Sequence, residues 1–515
     1  MTAVPKLYSA ELDGIGAELI EVEADLNVGL HSFNIVGLAD KALTEAKERV
    51  NSALKNSGIK PPSKENRRIT VNLAPADVKK IGSRFDLPIA LAYLLASEQL
   101  NKFETKDKMF IGELSLDGAL RPVTGALNAA LLAQRKGFKE IFVPVENAAE
   151  AAILENIEVF AVKNLAEIIS HLEGTTLITP QIKTNMSPGY SGNFVKLSEV
   201  RGQAAAKRAL IIAAAGGHNL LFSGPPGTGK TMLAQAMNSI IPPPSLEEAI
   251  EITGVWSAAG LLNRANPLIN FRPFRAPHHN ASLVSLVGGG PIPKPGEISL
   301  AHRGVLFLDE MPEFHRDALE SLRQPLESGY VNIARSKKSL VFPARFILIA
   351  AMNPCPCGYF NDPEKECRCT ANEVFRYHKK ISGPLMDRID IQLEVPRIPV
   401  EELRREENSG NNKSDELIRK KIEGVRDVQR ERFKKNGFKI FTNAEMSSRQ
   451  TEQVATLEPE AERFLKETLE KNFISVRGYY RILKVSRTIA DLEENSEIKT
   501  EHLAEAFQYR LKIGE

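Results

Sequence analysis

Cysteine is nearly absent from this chain: 515 residues hold four, and all four fall between Cys355 and Cys369. A disulfide-stapled secreted scaffold spreads many cysteines along a short sequence, so that class is excluded. An excess of charge of one sign is missing as well. Sixty-seven Lys and Arg face 65 Asp and Glu, leaving a formal net charge of +2. No global field announces nucleic acid, and any contact with DNA must come from local patches. Apolar runs stay well short of the roughly 18 residues that a membrane-spanning helix needs. The opening MTAVPKLYSAELDG has no basic stretch followed by an apolar one, so no signal peptide is expected. These absences together predict a cytoplasmic protein. What is present is ordinary: 43% hydrophobic and 26% charged residues, in a chain long enough for two to four domains.

The most informative stretch is Gly224-Pro225-Pro226-Gly227-Thr228-Gly229-Lys230-Thr231. An apolar run, His218 to Phe222, precedes it and reads as a buried parallel strand. Met232 to Met237 follows and reads as a helix. Strand, glycine loop and helix are the context in which backbone N–H groups can cradle a phosphate. The helix N-terminus adds its positive dipole end. Lys230 supplies a charge to the β- and γ-phosphates and Thr231 a hydroxyl to Mg²⁺. The stretch predicts that the chain binds a nucleoside triphosphate, with ATP and Mg²⁺ as cofactors.

About eighty residues later, Gly304-Val-Leu-Phe-Leu-Asp309-Glu310 is an apolar strand ending in two acids. That is the Walker B pattern: Asp309 holds Mg²⁺ through water, and Glu310 polarises the attacking water. A third apolar strand, Phe346 to Met352, ends at Asn353-Pro354. In a doubly wound sheet ligand-facing residues sit at strand C-termini, so Asn353 is either a γ-phosphate sensor or a plain turn residue. The order of these parts resembles AAA+ ATPases, whose adenine pocket is lined by residues such as Val200-Arg-Gly-Gln203. Ser382-Gly-Pro-Leu-Met-Asp387-Arg388-Ile-Asp390 resembles the arginine-finger segment of the magnesium-chelatase and replicative-helicase branches. The alternative for Arg388 is an intrachain ion pair with Asp387 or Asp390. Arg477, opening a helix that runs to Leu492, matches the sensor-2 position, and Arg481 and Arg487 lie on the same helix.

Residues 1 to about 172 form a separate unit. Leu19 to Ala24 and Arg68 to Leu73 alternate as half-buried strands, and helical patterns cover Ala42–Asn56, Leu87–Glu98, Ala126–Lys136 and Ala148–Ile153. Alternating strands and helices imply an α/β or α+β domain. The residues 173–193 are polar and aperiodic and read as a linker. Gly112-Glu-Leu-Ser-Leu-Asp-Gly118, Arg121-Pro-Val-Thr-Gly125 and Gly137-Phe-Lys-Glu-Ile-Phe-Val-Pro144 resemble the proteolytic domain of Lon proteases and its S5-like relatives. That family uses a Ser–Lys dyad. Here Phe85 stands at the serine position, with Ser83 two residues away, and Ala130 at the lysine position. A scaffold without protease activity is the expectation.

Two insertions set the module apart. The first runs from Phe271 to Ser282 and on to Leu286 to Ile298, with Lys294; its Gly/Pro-rich part cannot be a regular helix and reads as a projecting hairpin or loop. Val331 to Phe342 reads as a β-hairpin with Arg335, Lys337 and Lys338 at its tip. They resemble the helix-2 insert and the pre-sensor-1 hairpin of the same branches, and the resemblance implies that both face a ring's pore. Copies around a pore would grip a phosphate backbone, although a basic tip also serves solubility. The cysteines, Cys355-x-Cys357 and Cys367-x-Cys369, suit a Zn²⁺ thiolate site, with free thiols or a redox switch as alternatives. A helical lid is expected over 397–515, after an ATPase core over 194–396.

Along nearly its whole length the sequence resembles the magnesium-chelatase-like ComM/YifB family. The resemblance implies a homo-hexameric, ATP-driven DNA motor acting in branch migration during transformation. The alternatives are a chelatase-type or protein-remodelling ATPase and, less expected, a Lon-like protease.

Overall fold

The computed structural model describes residues 4–38, 40–186, 195–263, 265–291, 293–334, 339–399, 412–471 and 474–510. The N-terminal unit is built on one seven-stranded mixed sheet. Its order is Ser32–Val36, Arg67–Ala74, Gly16–Val28, Lys6–Asp13, Lys108–Phe110, Glu140–Pro144 and Glu158–Val162. The period-two burial of Ile20, Val22 and Ala24 fixes the register of the long hairpin Lys6–Asp13/Gly16–Val28. Helices Ala46–Asn56 and Asp86–Ala96 cover one face, and helices Ala126–Lys136 and Val145–Ala151 cover the other. The expected helix from Ala42 is two pieces, Lys41–Thr44 and Ala46–Asn56.

The polar stretch after Leu172 differs from a free linker. Gln181 N donates to Val159 O at 2.7 Å, Lys183 Nζ to the carbonyls of Leu154 and Ile157, and Thr184 Oγ1 to Ala149 O. Its backbone pairs with the edge strand and its side chains satisfy carbonyls of the neighbouring helix and turn, so it is a strap on the N-terminal unit as far as Met186.

A second sheet of five strands is all-parallel, in the order Phe274–Arg275, Val305–Leu308, Ile347–Met352, Leu220–Ser223 and Ile391–Glu394. The central strands are short, continuous apolar runs because helices cover both faces. Helix Leu246–Ala259 begins at a capping box in which Ser245 and Glu248 each accept from the other's backbone N–H. Phe274–Arg275 forms the sheet edge, so this part of the first insertion belongs to the module. The rest is the helix Leu283–Val287 and a small hairpin pairing Gly288–Gly289 with Lys294–Pro295. The second insertion is the hairpin Tyr330–Ala334/Ser339–Pro343.

Beyond residue 411 the chain is helical: Asn412–Lys435, Ser448–Val454, Pro459–Lys471, Val476–Leu492 and Thr500–Gln508. Ile422, Ile482 and Ile489 share one core with Leu210, Leu220 and Phe222, so the helical region and the parallel sheet form one packed body. Among the described residues no helix is long and apolar enough to cross a membrane.

Candidate nucleotide site

All strands of the second sheet point the same way, so their carboxyl ends gather at one edge, and the phosphate loop lies there. Gly227 and Gly229 take φ of +81° and +85°, a region open to glycine, and open space surrounds the place where each Cβ would sit. Gly224 meets a different demand: a Cβ there would lie 2.2 Å from the Val395 carbonyl oxygen. Helix Lys230–Ile240 starts at the loop and aims its N-terminus into it.

Lys230 is buried. Its Nζ donates to Gly224 O at 2.6 Å, Pro225 O at 2.8 Å and Asn353 Oδ1 at 3.2 Å. Burial pulls its pKa down to about 8, against the carboxylates of Asp309 and Glu310, which raise it. Thr231 Oγ1 donates to Asp309 Oδ2 at 2.8 Å, which puts the hydroxyl and the carboxylate side by side. Glu310 sits at φ +51°, an uncommon conformation for a residue with a side chain. His279 Nδ1 stands 3.8 Å from its carboxylate. Lys230, Thr231, Asp309, Glu310 and Asn353, read from three separate stretches of sequence, thus converge on one edge. A lysine and a row of N–H groups fit a polyphosphate, and the Thr231–Asp309 pair fits a Mg²⁺ ion.

Arg388 and Arg477 are elsewhere. Both pair with Glu327: Arg388 Nη2 donates to Glu327 Oε2, and Arg477 Nη2 to Glu327 Oε1 at 3.3 Å. They line an open cleft of about 490 Å³ with Asn219, Gly304 and Ile347, residues at the amino ends of the strands. Within its own chain Arg477 therefore stands at the opposite end of the strands from Lys230. The helix carrying it docks on the far edge of the sheet. Arg388 pairs with neither Asp387 nor Asp390; Asp390 is taken by Arg481, and Arg487 is fastened to Asp491. Arg388 is 4% exposed, and its Nε has no hydrogen-bond partner among the described residues. Eight Arg and Lys side chains face four carboxylates around this cleft.

Lys294 is exposed on the small Gly/Pro hairpin, whereas Arg335, Lys337 and Lys338 lie outside the described residues. The two insertions touch: a Cβ on Gly288 would lie 3.2 Å from Ile333 Cδ1. The thiols of Cys355, Cys357, Cys367 and Cys369 come together within 4.8 Å.

Three family models cover most of the chain. Residues 22–147 match subunit ChlI of Mg-chelatase, 196–403 match magnesium chelatase, subunit ChlI, and 412–510 match its C-terminal part. Competence protein ComM of Haemophilus influenzae is 45% identical over 512 residues, 98% of this chain and 97% of that one. The chain belongs to the ComM/YifB family. A second member, YifB of Escherichia coli K12, is 42% identical over 500 residues, 96% of this chain and 95% of that one. Magnesium-chelatase family membership is consistent with an AAA+ ATPase and implies use of ATP and Mg²⁺. The Lon protease of Rhizobium meliloti is 26% identical over 166 residues, 30% of this chain and 20% of its own length.

In this ComM/YifB chain the two positions expected to align with the Lon-type dyad are apolar and packed away. Phe85 and Ala130 are both fully buried, in clusters on opposite faces of the N-terminal sheet. The hydroxyl of Ser83 donates to Glu113, so its proton goes to a carboxylate. Sequence reasoning missed Glu327 and the closeness of His279 to Glu310. His278-His279 gave a visible signal, but nothing near Glu327 marked it.

Proposed function

We propose that this protein is an ATP-hydrolysing ring motor that acts on DNA. One observation carries the ring. The phosphate-binding residues and the arginine pair occupy opposite edges of one sheet, a head-and-tail layout that a single chain cannot close on itself. Stacked in a ring, each subunit offers Arg388 and Arg477 to the nucleotide held by its neighbour's Lys230. Mg²⁺-bound ATP supplies the phosphoryl group and its charge. Lys230 and the loop N–H groups bind the phosphates, Thr231 and Asp309 hold the ion, Glu310 orients and deprotonates water, and Asn353 fixes Lys230. Arg388 brings a guanidinium where negative charge develops.

The DNA half is supported by the two adjacent insertions, by the basic residues Lys294, Arg335, Lys337 and Lys338 in their sequences, and by a relative named for competence. Such contacts grip a backbone without reading bases. Branch migration or helicase work in transformation or recombination follows as the role, with a homo-hexamer as the assembly. ATPase turnover measured at fixed salt, with single-stranded, forked and four-way DNA, tests the reading. Stimulation that weakens in Lys337→Ala/Lys338→Ala supports it, and indifference to every DNA with basal hydrolysis intact sinks it. A chelatase-type or protein-remodelling motor, favoured by the description of the family models, would then take its place.

A further inference from the structure

We propose that Cys355, Cys357, Cys367 and Cys369 bind one Zn²⁺ as a tetrahedral tetrathiolate site, and that the loop it closes braces the phosphate-binding loop. The sulfur positions carry the first half. Sγ–Sγ separations are 3.4 Å for Cys355–Cys357, 3.7 Å for Cys355–Cys367 and 3.6 Å for Cys357–Cys367. A disulfide needs about 2.05 Å, so these are not bonded pairs. The edge of a tetrahedron with Zn–S bonds of about 2.3 Å is about 3.8 Å, close to the separations found. The fourth sulfur, of Cys369, completes the group within 4.8 Å.

The surroundings are those of ligands rather than of spare thiols. Gly358 N donates to Cys355 Sγ at 3.2 Å. Such an outer hydrogen bond orients the sulfur and offsets thiolate charge. The stretch between strand Ile347–Met352 and helix Ala371–His378 contains no helix or strand, and Cys355 is its one fully buried cysteine. A loop of that length inside a compact module needs a fastening. Arg397 anchors its outer side through Asp362 at 2.7 Å.

The second half rests on what the loop touches. Gly358 lies so close to the phosphate loop that a Cβ on it would be 2.6 Å from Pro226 Cδ. Cys355 follows Asn353-Pro354, and Asn353 Oδ1 accepts from Lys230. His378 Nε2 lies 2.9 Å from Pro354 O and fixes the same corner from the helix side. Closing the four thiols on a metal therefore holds both Pro226 and Asn353 where the nucleotide needs them. This bracing rests on the nucleotide-site reading, whereas the metal site does not.

The test begins with the full-length wild-type protein and no nucleotide. Elemental analysis is expected to find one zinc per chain, released by an organomercurial and restored with thiol and Zn²⁺. Replacing the metal with Co²⁺ is expected to give the intense charge-transfer and visible bands of a tetrahedral thiolate. Absence of metal with four freely titrating thiols, or iron in place of zinc, overturns the assignment. Cys367→Ser/Cys369→Ser is expected to lose the zinc, and the wild-type measurement stands even if that variant does not fold. Affinity for a fluorescent ADP is then compared before and after metal release. A loss of roughly tenfold is expected, the scale of one hydrogen bond to a charged partner. Gly358→Ala is expected to weaken ADP binding with zinc retained. Unchanged affinity on metal release, beside one zinc per chain, overturns the bracing and leaves the metal site standing. If the wild-type protein binds no nucleotide at all, the nucleotide reading has failed instead.

Discussion

Two inactive variants should make an active mixture. Lys230→Ala removes the phosphate charge from a subunit's own nucleotide but leaves its Arg388 intact; Arg388→Ala does the reverse. Within one chain these residues cannot meet. Arg388 lies just before strand Ile391–Glu394, beside Asn219 at the start of Leu220–Ser223, and Lys230 lies beyond the other end of that strand. Four strand residues at about 3.3 Å each separate the two edges by at least roughly 10 Å. An arginine acting across a subunit boundary is worth about 10³- to 10⁵-fold in turnover, so each variant alone should fall to background. In a one-to-one mixture, an interface works when an Arg388→Ala subunit supplies the nucleotide side and a Lys230→Ala subunit supplies the arginine. Random assembly makes that arrangement at about one interface in four. Turnover should therefore return to as much as about a quarter of the wild-type rate, with native mass spectrometry verifying mixed rings. A mixture no more active than its parts, in rings shown to be mixed, refutes action across the interface. So does full activity of Arg388→Ala alone.

Other expectations are local. Glu327→Gln removes the carboxylate shared by Arg388 and Arg477, leaving a buried guanidinium with Pro384 O as its remaining full-strength acceptor. A cost of about 1–3 kcal/mol is expected, read as a melting temperature lowered by several degrees; an unchanged value denies Glu327 this role. Gly224→Ala drives a methyl group against the Val395 carbonyl, so ADP affinity should fall by at least about tenfold while the N-terminal unit keeps its fold. Titration calorimetry decides that one. Glu150 is pushed up to about 7 by burial, although Asn147 and Ser257 donate to it and pull the other way. An acid whose folded pKa lies above its unfolded value favours folding at low pH, so stability should drain away between about pH 4.5 and 7 and level off above. The loss from this one group is about 3 kcal/mol. Glu150→Gln should flatten the pH profile, and parallel profiles for the two proteins would disprove the assignment. Glu11, raised to about 7 by burial, adds the same slope to both.

The residues that the structure gathers at the candidate nucleotide site were legible in the sequence because such chemistry dictates residue types at adjacent positions. Gly224 to Thr231 and Val305 to Glu310 each carry strand, turn and functional group within a few residues. The arginine cleft was not legible. Glu327 stands 61 residues from Arg388 and 150 from Arg477, and an exposed glutamate on a short helix looks like any other. Phe274–Arg275 is too short to show a period, so its place at the sheet edge could not be read. Helix Leu246–Ala259 carries its own start signal, Ser245 and Glu248 three residues apart. The strap to Met186 was hidden for another reason: polar side chains that bind backbone carbonyls look the same as polar side chains in solvent.

Helix Leu246–Ala259 has a further consequence. Helix Ala126–Lys136 of the N-terminal unit packs on it, sharing a core that contains Ala249 and Leu268. Asn128 Nδ2 donates to Gly254 O at 3.1 Å, and Gly125 N donates to Ser257 O. A protein expressed from residue 195 onward would begin life with that apolar patch wet and those carbonyls bare, and would tend to precipitate. The N-terminal unit thus covers an apolar face of the parallel-sheet body, and its removal is expected to lower the solubility of what remains.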